Sequence, residues 1–144
     1  MAEVALRETI DEDLGTLFEF QADPEASAMA DFPSRGRDAF MAHWTKLLAD
    51  DAVGKRTILF DGRIAGNLVL FGPPEELEVG YWPGRTFWGR GLATRALAAF
   101  LAVTPHRPLH AHVATHNAAS LRVLEKCGFR EVGRGEDGID LRLG

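Results

Sequence analysis

At 144 residues and 46% hydrophobic content, the chain is long enough for one well-packed domain and too short for two ordinary ones. Its formal net charge of -5 argues against a general nucleic-acid binder and is compatible with an amine or other cationic partner. A lone cysteine, Cys127, excludes an internal disulfide framework. It fits a reducing compartment; with no secretory pattern after Met1 and no apolar run of membrane-spanning length, the expectation is a cytoplasmic protein without a membrane partner.

Val4 to Glu8 reads as a strand, and Asp11 to Phe20 as a helix whose first-turn acids are ordinary helix-start chemistry. Pro24, Pro33 and Gly36 punctuate an irregular connection, after which Phe40, Met41, Trp44, Leu47 and Leu48 mark a second amphipathic helix. His43, beside Trp44, has no ligand-spaced partner and reads as structural. Thr57 to Phe60 and Ile64 to Phe71 are β-rich runs around Asp61-Gly62, a hairpin signal that implies antiparallel pairing. Gly72-Pro73-Pro74 makes a turn before a strand from Leu77 to Trp82. A glycine-rich turn follows, then a helix whose Leu92, Ala93, Ala96, Leu97, Phe100 and Leu101 share one face before Pro105 ends the run. Leu109 to Thr115 is a further strand. Asn117 to Lys126 is a short helix stopped by Gly128, and Phe129 to Val132 with Ile139 to Leu143 form a last hairpin around Glu136-Asp137-Gly138. The order is strand, two helices, three strands, helix, strand, helix, two strands. It predicts a single α+β domain over 1–144 with a mixed, largely antiparallel sheet, and the hairpins exclude a doubly wound fold.

The turn between Trp82 and Leu92 carries the strongest chemical signal. Gly89 and Gly91 permit close backbone approach, and the first N–H groups of the following helix have no intrahelical partner, so an anion such as a pyrophosphate is favoured there. Gly84-x-x-x-x-Gly89 resembles the start of a P-loop, but Arg90 and Gly91 stand where the lysine and the magnesium-binding hydroxyl belong. Thr94 stands where a dinucleotide fingerprint needs its third glycine or alanine. Arg90 and Arg95 lie off the apolar stripe, and two readings stand for each: phosphate contact, or a solvated arginine near a helix start.

With these elements in place, the chain resembles the GNAT superfamily of acyl-CoA-dependent N-acyltransferases over nearly its full length. Thr86-x-x-Gly89-x-Gly91 is similar to that family's coenzyme A loop, and Asn117-x-x-Ser120-x-x-Val123-Leu124-x-Lys126-x-Gly128-Phe129 resembles the helix that flanks its pantetheine arm. Together with Glu78-Val79-Gly80-Tyr81-Trp82, they look most like the branch that includes ribosomal-protein N-terminal acetyltransferases. The resemblance implies acetyl-CoA as co-substrate, no metal, and direct transfer to an amine acceptor, peptide or small molecule, by a monomer or homodimer. It implies pyrophosphate on Trp88, Gly89, Arg90, Gly91, Leu92, Ala93 and Thr94, and pantetheine between Val79, Gly80, Tyr81 and Trp82 on one side and Asn117 on the other. The chain departs from the pattern twice. Thr86 replaces the loop's Gln or Arg, with Arg85 one residue earlier, and Leu124 replaces a tyrosine that many members use as general acid.

An alkyl amine is mostly protonated near neutral pH, so attack on a thioester needs a base. Glu78 is the candidate: it shares a strand face with Gly80 and Trp82, where partial desolvation would raise its pKa. The other reading is a solvated strand-start glutamate after Glu75 and Glu76. A backbone N–H between Val79 and Trp82 is the expected oxyanion donor, with Gly80 allowing approach. Asn117 is a good N-cap by position, and the resemblance adds a bond to pantetheine. Ser120 takes the place near the leaving sulfur because the resembled branch carries serine there. Cys127 reads as a packed thiol, and His110, His112 and His116 lack a fixed third ligand for a metal site. The segment from Ala22 to Arg37, with Asp31, Phe32 and Arg35, is the expected acceptor wall. A rival reading is a non-catalytic acyl-CoA-binding or sensing module, which Leu124 favours.

Overall fold

The computed structural model describes residues 3–31 and 35–144; Met1, Phe32 and Pro33, named above, lie outside the described residues. In chain order the elements are β1 (Val4–Glu8), α1 (Leu14–Ala22), α2 (Pro24–Ala30), α3 (Arg37–Ala49), β2 (Gly54–Phe60), β3 (Arg63–Phe71), β4 (Glu78–Pro83), α4 (Leu92–Ala102), β5 (Leu109–Val113), α5 (Ala118–Lys126), β6 (Arg130–Gly135) and β7 (Gly138–Leu143). The strands form one sheet in the order β1-β2-β3-β4-β5-β7-β6. Every neighbouring pair is antiparallel except β4 with β5, so the mixed, largely antiparallel α+β reading holds. Asp61 and Gly62 both adopt positive φ, at 50° and 82°, as a tight hairpin with right-twisting strands requires.

Helices cover both sheet faces. Leu92, Ala96, Leu97 and Phe100 of α4 and Leu124 of α5 pack on Leu68, Val79, Leu109 and Leu141. Leu14 and Leu17 of α1 join Phe40 and Trp44 of α3 in a second cluster that closes on Ile64 and Val69. The stripe read from Leu92 to Leu101 is therefore the buried face of α4.

The connection expected to be irregular contains a helix, α2. Asp23 caps it by accepting from the Glu25 N–H at 3.0 Å, and Pro24 occupies the first helical position, where a missing N–H costs nothing. Asp31, with φ 52°, ends it in the left-handed conformation. The short length and the prolines masked an Asp-Pro start signal that was present in the sequence.

The acids before α1 do more than start a helix. Asp11 to Asp13 form a single tight turn, and Asp13 is buried. Its carboxylate accepts from both Arg7 terminal nitrogens (2.7 and 2.8 Å), the Ile10 N–H (3.0 Å) and the Thr57 hydroxyl (2.8 Å). This ties the entry of α1 to β1 and β2. Burial alone would raise the Asp13 carboxyl, but the Arg7 bonds, then Ile10 and Thr57, outweigh it and hold it below the ordinary carboxylate value. A depressed carboxyl contributes stability that is present above its unfolded pKa and is lost as pH falls through the lower folded value. Asp13→Asn is expected to lower unfolding free energy by about 3 kcal/mol at neutral pH and to remove part of the acid dependence below about pH 4. Urea unfolding across pH measures both, and an unchanged midpoint would dismiss the network as a structural support.

Candidate active site

The sheet parts between β4 and β5. The strands share one pair, Glu78 with His110, and the His110 N–H donates to the Leu77 carbonyl at 2.8 Å. Backbone groups of alternate residues point to opposite neighbours along a strand. Gly84 donates toward β3, to the Ala65 carbonyl, which sets Trp82 and Gly80 facing β3, and Leu77, Val79 and Tyr81 facing β5. Beyond Glu78 the pairing of these two strands stops, while β5 stays zipped to β7 through Val113 and Ile139. Tyr81 therefore turns its N–H into the gap. Of the N–H groups considered as an oxyanion donor, this is the one the register leaves facing an opening.

A cavity of about 360 Å³ occupies that gap and runs to the start of α4. Tyr81 and Trp82 form one wall, Asn117 and Ser120 the facing one, and Trp88, Gly89, Gly91, Leu92, Ala93 and Thr94 the far end. Gly89 and Gly91 have φ of 77° and 73°, and nothing lies within 4 Å of a Cβ built on either. Their requirement is conformational, and the space above them is open to a ligand. Arg95 N–H bonds the Gly91 carbonyl, so the amides of Leu92, Ala93 and Thr94 are the helix's free first donors, aimed where a phosphate would lie.

The basic side chains at this end differ from those expected. Arg90 does not line the cavity and stacks over the Phe60 ring, 5.8 Å from its centroid. Arg85 pairs with Asp23 at 2.5 Å and Glu25 at 3.3 Å, and Thr86 is exposed outside the lining. Arg122 and Lys126, one turn apart on α5, line it instead. Neither is among the expected site residues, although Lys126 stands in the motif that resembles the pantetheine-flanking helix; their four-residue spacing beside Asn117 was the available signal.

Helix α2, within the segment expected to form the acceptor wall, supplies Ala26, Met29 and Ala30 to this same cavity. His116 holds it there, its Nε2 donating to the Ala28 carbonyl at 2.8 Å. Asp31 is exposed at the end of α2, Phe32 lies outside the described residues, and Arg35 lines a different cavity.

Tyr81 reaches across the gap to α5. Its hydroxyl lies 2.6 Å from Ser120 Oγ and 3.1 Å from the Ser120 carbonyl oxygen. Burial, only partly offset by the bond to Ser120, pushes the phenol up to about 12, so Tyr81 stays protonated and can donate. Asn117 caps α5, Oδ1 accepting from the Ser120 N–H at 3.2 Å, while it also lines the cavity. Leu124 is only 1% exposed and belongs to the core. The Cys127 thiol leans toward the Thr94 carbonyl, and burial pushes its pKa up, away from a nucleophilic thiolate.

Glu78 stands at the closed end of the parting, half-buried and outside both cavity linings. Burial raises its carboxyl; His112 pulls it down, Asp140 pushes it up and His110 pulls it down. The desolvation expected from the strand face is present, and the neighbouring polar side chains come from β5 and β7. His112 Nδ1 lies 2.7 Å from Asp140 Oδ1, and Nε2 lies 2.9 Å from the Asp137 carbonyl. Two acceptors on one imidazole favour the imidazolium, and the bond to Asp140 raises its pKa accordingly. The His-x-His pair is thus directed to protein partners, and the described residues contain no cluster of three or more His, Cys, Asp or Glu arranged for a metal. Val79 is buried in the core, and Gly80 faces the opposite side of β4.

There a second cavity of about 220 Å³ lies beneath α1 and α3, and it reaches the same Tyr81–Trp82 segment. The Trp82 indole N–H is fixed by the Phe20 carbonyl at 3.1 Å. A Cβ on Gly80 would meet Val69 and Phe71 at 3.4 and 3.6 Å, ordinary contact, so packing does not demand glycine here. Gln21, His43 and Asn67 line this cavity and were not singled out as site residues, because nothing in sequence links three polar positions on three separate elements.

Comparison with known proteins agrees with the fold. YdaF of Bacillus subtilis (strain 168), provisionally named a ribosomal N-acetyltransferase, is 29% identical over 111 residues, which cover 72% of this chain and 60% of that protein. This chain thus matches less than two thirds of that relative's length. Spermidine N-acetyltransferase from Vibrio cholerae, solved with CoA and spermine, superposes with a TM-score of 0.81 at 18% identity, covering 96% of this chain and 92% of that one. The ribosomal-protein acetyltransferase RimL, solved with coenzyme A, gives 0.78 at 19%, covering 96% and 90%. At these identities the structures establish a shared fold. The family described as an acetyltransferase (GNAT) domain matches residues 3–130, and the chain therefore belongs to the GNAT acetyltransferases.

Proposed function

We propose that this protein transfers an acetyl group from acetyl-CoA to an amine by direct attack. The observation that carries the reading is the parting of β4 and β5, which sets the Tyr81 N–H and the Ser120 hydroxyl on walls of one cavity whose far end is an anion-binding helix start. The pyrophosphate lies against the Leu92–Thr94 amides with Arg122 and Lys126 nearby, and the pantetheine arm runs past Asn117 to Tyr81. The acceptor, a peptide N-terminus or a small amine, enters through the second cavity and meets the thioester beside Gly80 and Trp82.

The acceptor nitrogen forms a bond to the thioester carbonyl carbon, and the resulting oxyanion accepts from the Tyr81 N–H. Collapse breaks the C–S bond. The ammonium first loses one proton by way of water to Glu78; after attack the nitrogen loses a second, which water returns to the Tyr81 hydroxyl as Tyr81 reprotonates Ser120 and Ser120 Oγ protonates the thiolate. The 2.6 Å separation of the Tyr81 and Ser120 hydroxyls supports this assignment, because either oxygen can be the donor and a proton can therefore pass between them. It supplies from β4 the hydroxyl that Leu124 does not supply from α5. Leu124 also favours the rival reading, a module that binds acyl-CoA without transferring the acyl group.

Thiol release from acetyl-CoA with a panel of peptides and amines separates the two. Amine-dependent release is expected, and tight acetyl-CoA binding without it would establish the sensor. Glu78→Gln should lower kcat about 100-fold and flatten the rise of rate with pH through the raised Glu78 pKa, with acetyl-CoA affinity nearly intact; an unaltered profile would remove Glu78 from proton transfer. Ser120→Ala is expected to reduce kcat about tenfold or more, and Tyr81→Phe to lower it less. Equal activity in all three chains would place thiolate protonation with solvent.

A further inference from the structure

We propose that the second cavity selects an acceptor bearing one amine and an apolar body, and discriminates against polyamines; the proposal rests on this cavity being the acceptor entrance. Gln21 Oε1 is buried in its wall with no hydrogen-bond partner among the described residues. An unsatisfied buried carbonyl is unfavourable, and an N–H from a bound ligand satisfies it. Leu17, Phe40, Trp44 and Val69 supply the apolar surface beside it.

Charge decides the class of amine. Among the described residues no Asp or Glu lines the cavity; its ionisable groups are Arg35, His43 and the Tyr81 phenol, which stays neutral. Burial lowers the His43 pKa, and Arg35 and Lys46 lower it further, so the imidazole is neutral near pH 7 and its surroundings are unfavourable to added positive charge. From the neighbouring elements, Glu19 on α1 and Asp38 on α3 are exposed and outside the lining, and Glu78 on β4 stands beyond Gly80. One ammonium can lose its proton and react. A second, still charged, would be desolvated here without a carboxylate to pair it, which disfavours its binding.

The test compares phenethylamine with spermidine in two ways: kcat/KM with saturating acetyl-CoA, and equilibrium binding by calorimetry in the presence of desulfo-CoA. Phenethylamine is expected to be preferred by about 100-fold or more in both, since each tenfold step needs only about 1.4 kcal/mol. Gln21→Glu, which adds a carboxylate of the same size, should narrow the preference at least tenfold, and Gln21→Leu should weaken phenethylamine binding about tenfold with acetyl-CoA affinity unchanged. Equal or better binding of spermidine to the native chain, or an unchanged preference in Gln21→Glu, would overturn the proposal. Selective binding without turnover would sustain the selectivity while refuting acetyl transfer, so the two claims fail separately.

Discussion

Most of the site's geometry follows from one interruption of hydrogen bonding. A parallel pair of strands in mid-sheet normally stays zipped, yet β4 and β5 share only the Glu78 and His110 pair before they separate. The separation leaves backbone groups of β4 without a strand partner and opens a slot through the sheet. Elsewhere in a core such groups would be a penalty. Here they are the donors and acceptors that an extended, amide-rich ligand such as pantetheine can use.

The same slot explains why two cavities converge on Tyr81 and Trp82. Side chains alternate across β4, so Tyr81 joins α5 on one face while Trp82 is fixed to α1 on the other. A donor substrate and an acceptor substrate can thus approach a short stretch of strand from opposite sides. The surrounding frame keeps that stretch in place: the Arg7–Asp13–Thr57 network anchors the start of α1, and His116 anchors α2 against the entry to α5. Both are polar ties at points where a helix must hold a cavity wall.

Much of this was legible in the chain. The apolar stripe from Leu92 to Leu101, the Asp61-Gly62 turn and the glycines at 89 and 91 each state a local requirement that only one conformation meets. Asn117 was readable as an N-cap for the same reason, whereas Ser120 entered only through the family resemblance. What was missed depends on distance in sequence. Ser120 and Tyr81 are separated by 39 residues, and no local pattern announces their bond. Asp13 looked like any acid in a first turn until Arg7 and Thr57 were brought around it. Arg122 and Lys126 carry no local mark of their place in the lining, because a helix face reveals its amphipathicity, not the ligand-sized space beside it. Arg90, the more prominent candidate, is drawn to the Phe60 ring by a contact that sequence adjacency to the glycines cannot foretell.

The account depends above all on the Tyr81 backbone amide facing the thioester. Amide NMR of the protein titrated with acetyl-CoA, and separately with desulfo-CoA, reads that amide directly. A large shift of the Tyr81 amide that is greater with acetyl-CoA than with desulfo-CoA, with slowed hydrogen exchange and little change at buried Val79, is the expected result. Saturable binding that shifts the Leu92–Thr94 amides and leaves Tyr81 unmoved would contradict it, because the coenzyme would then occupy the helix start without placing its acyl group in the gap.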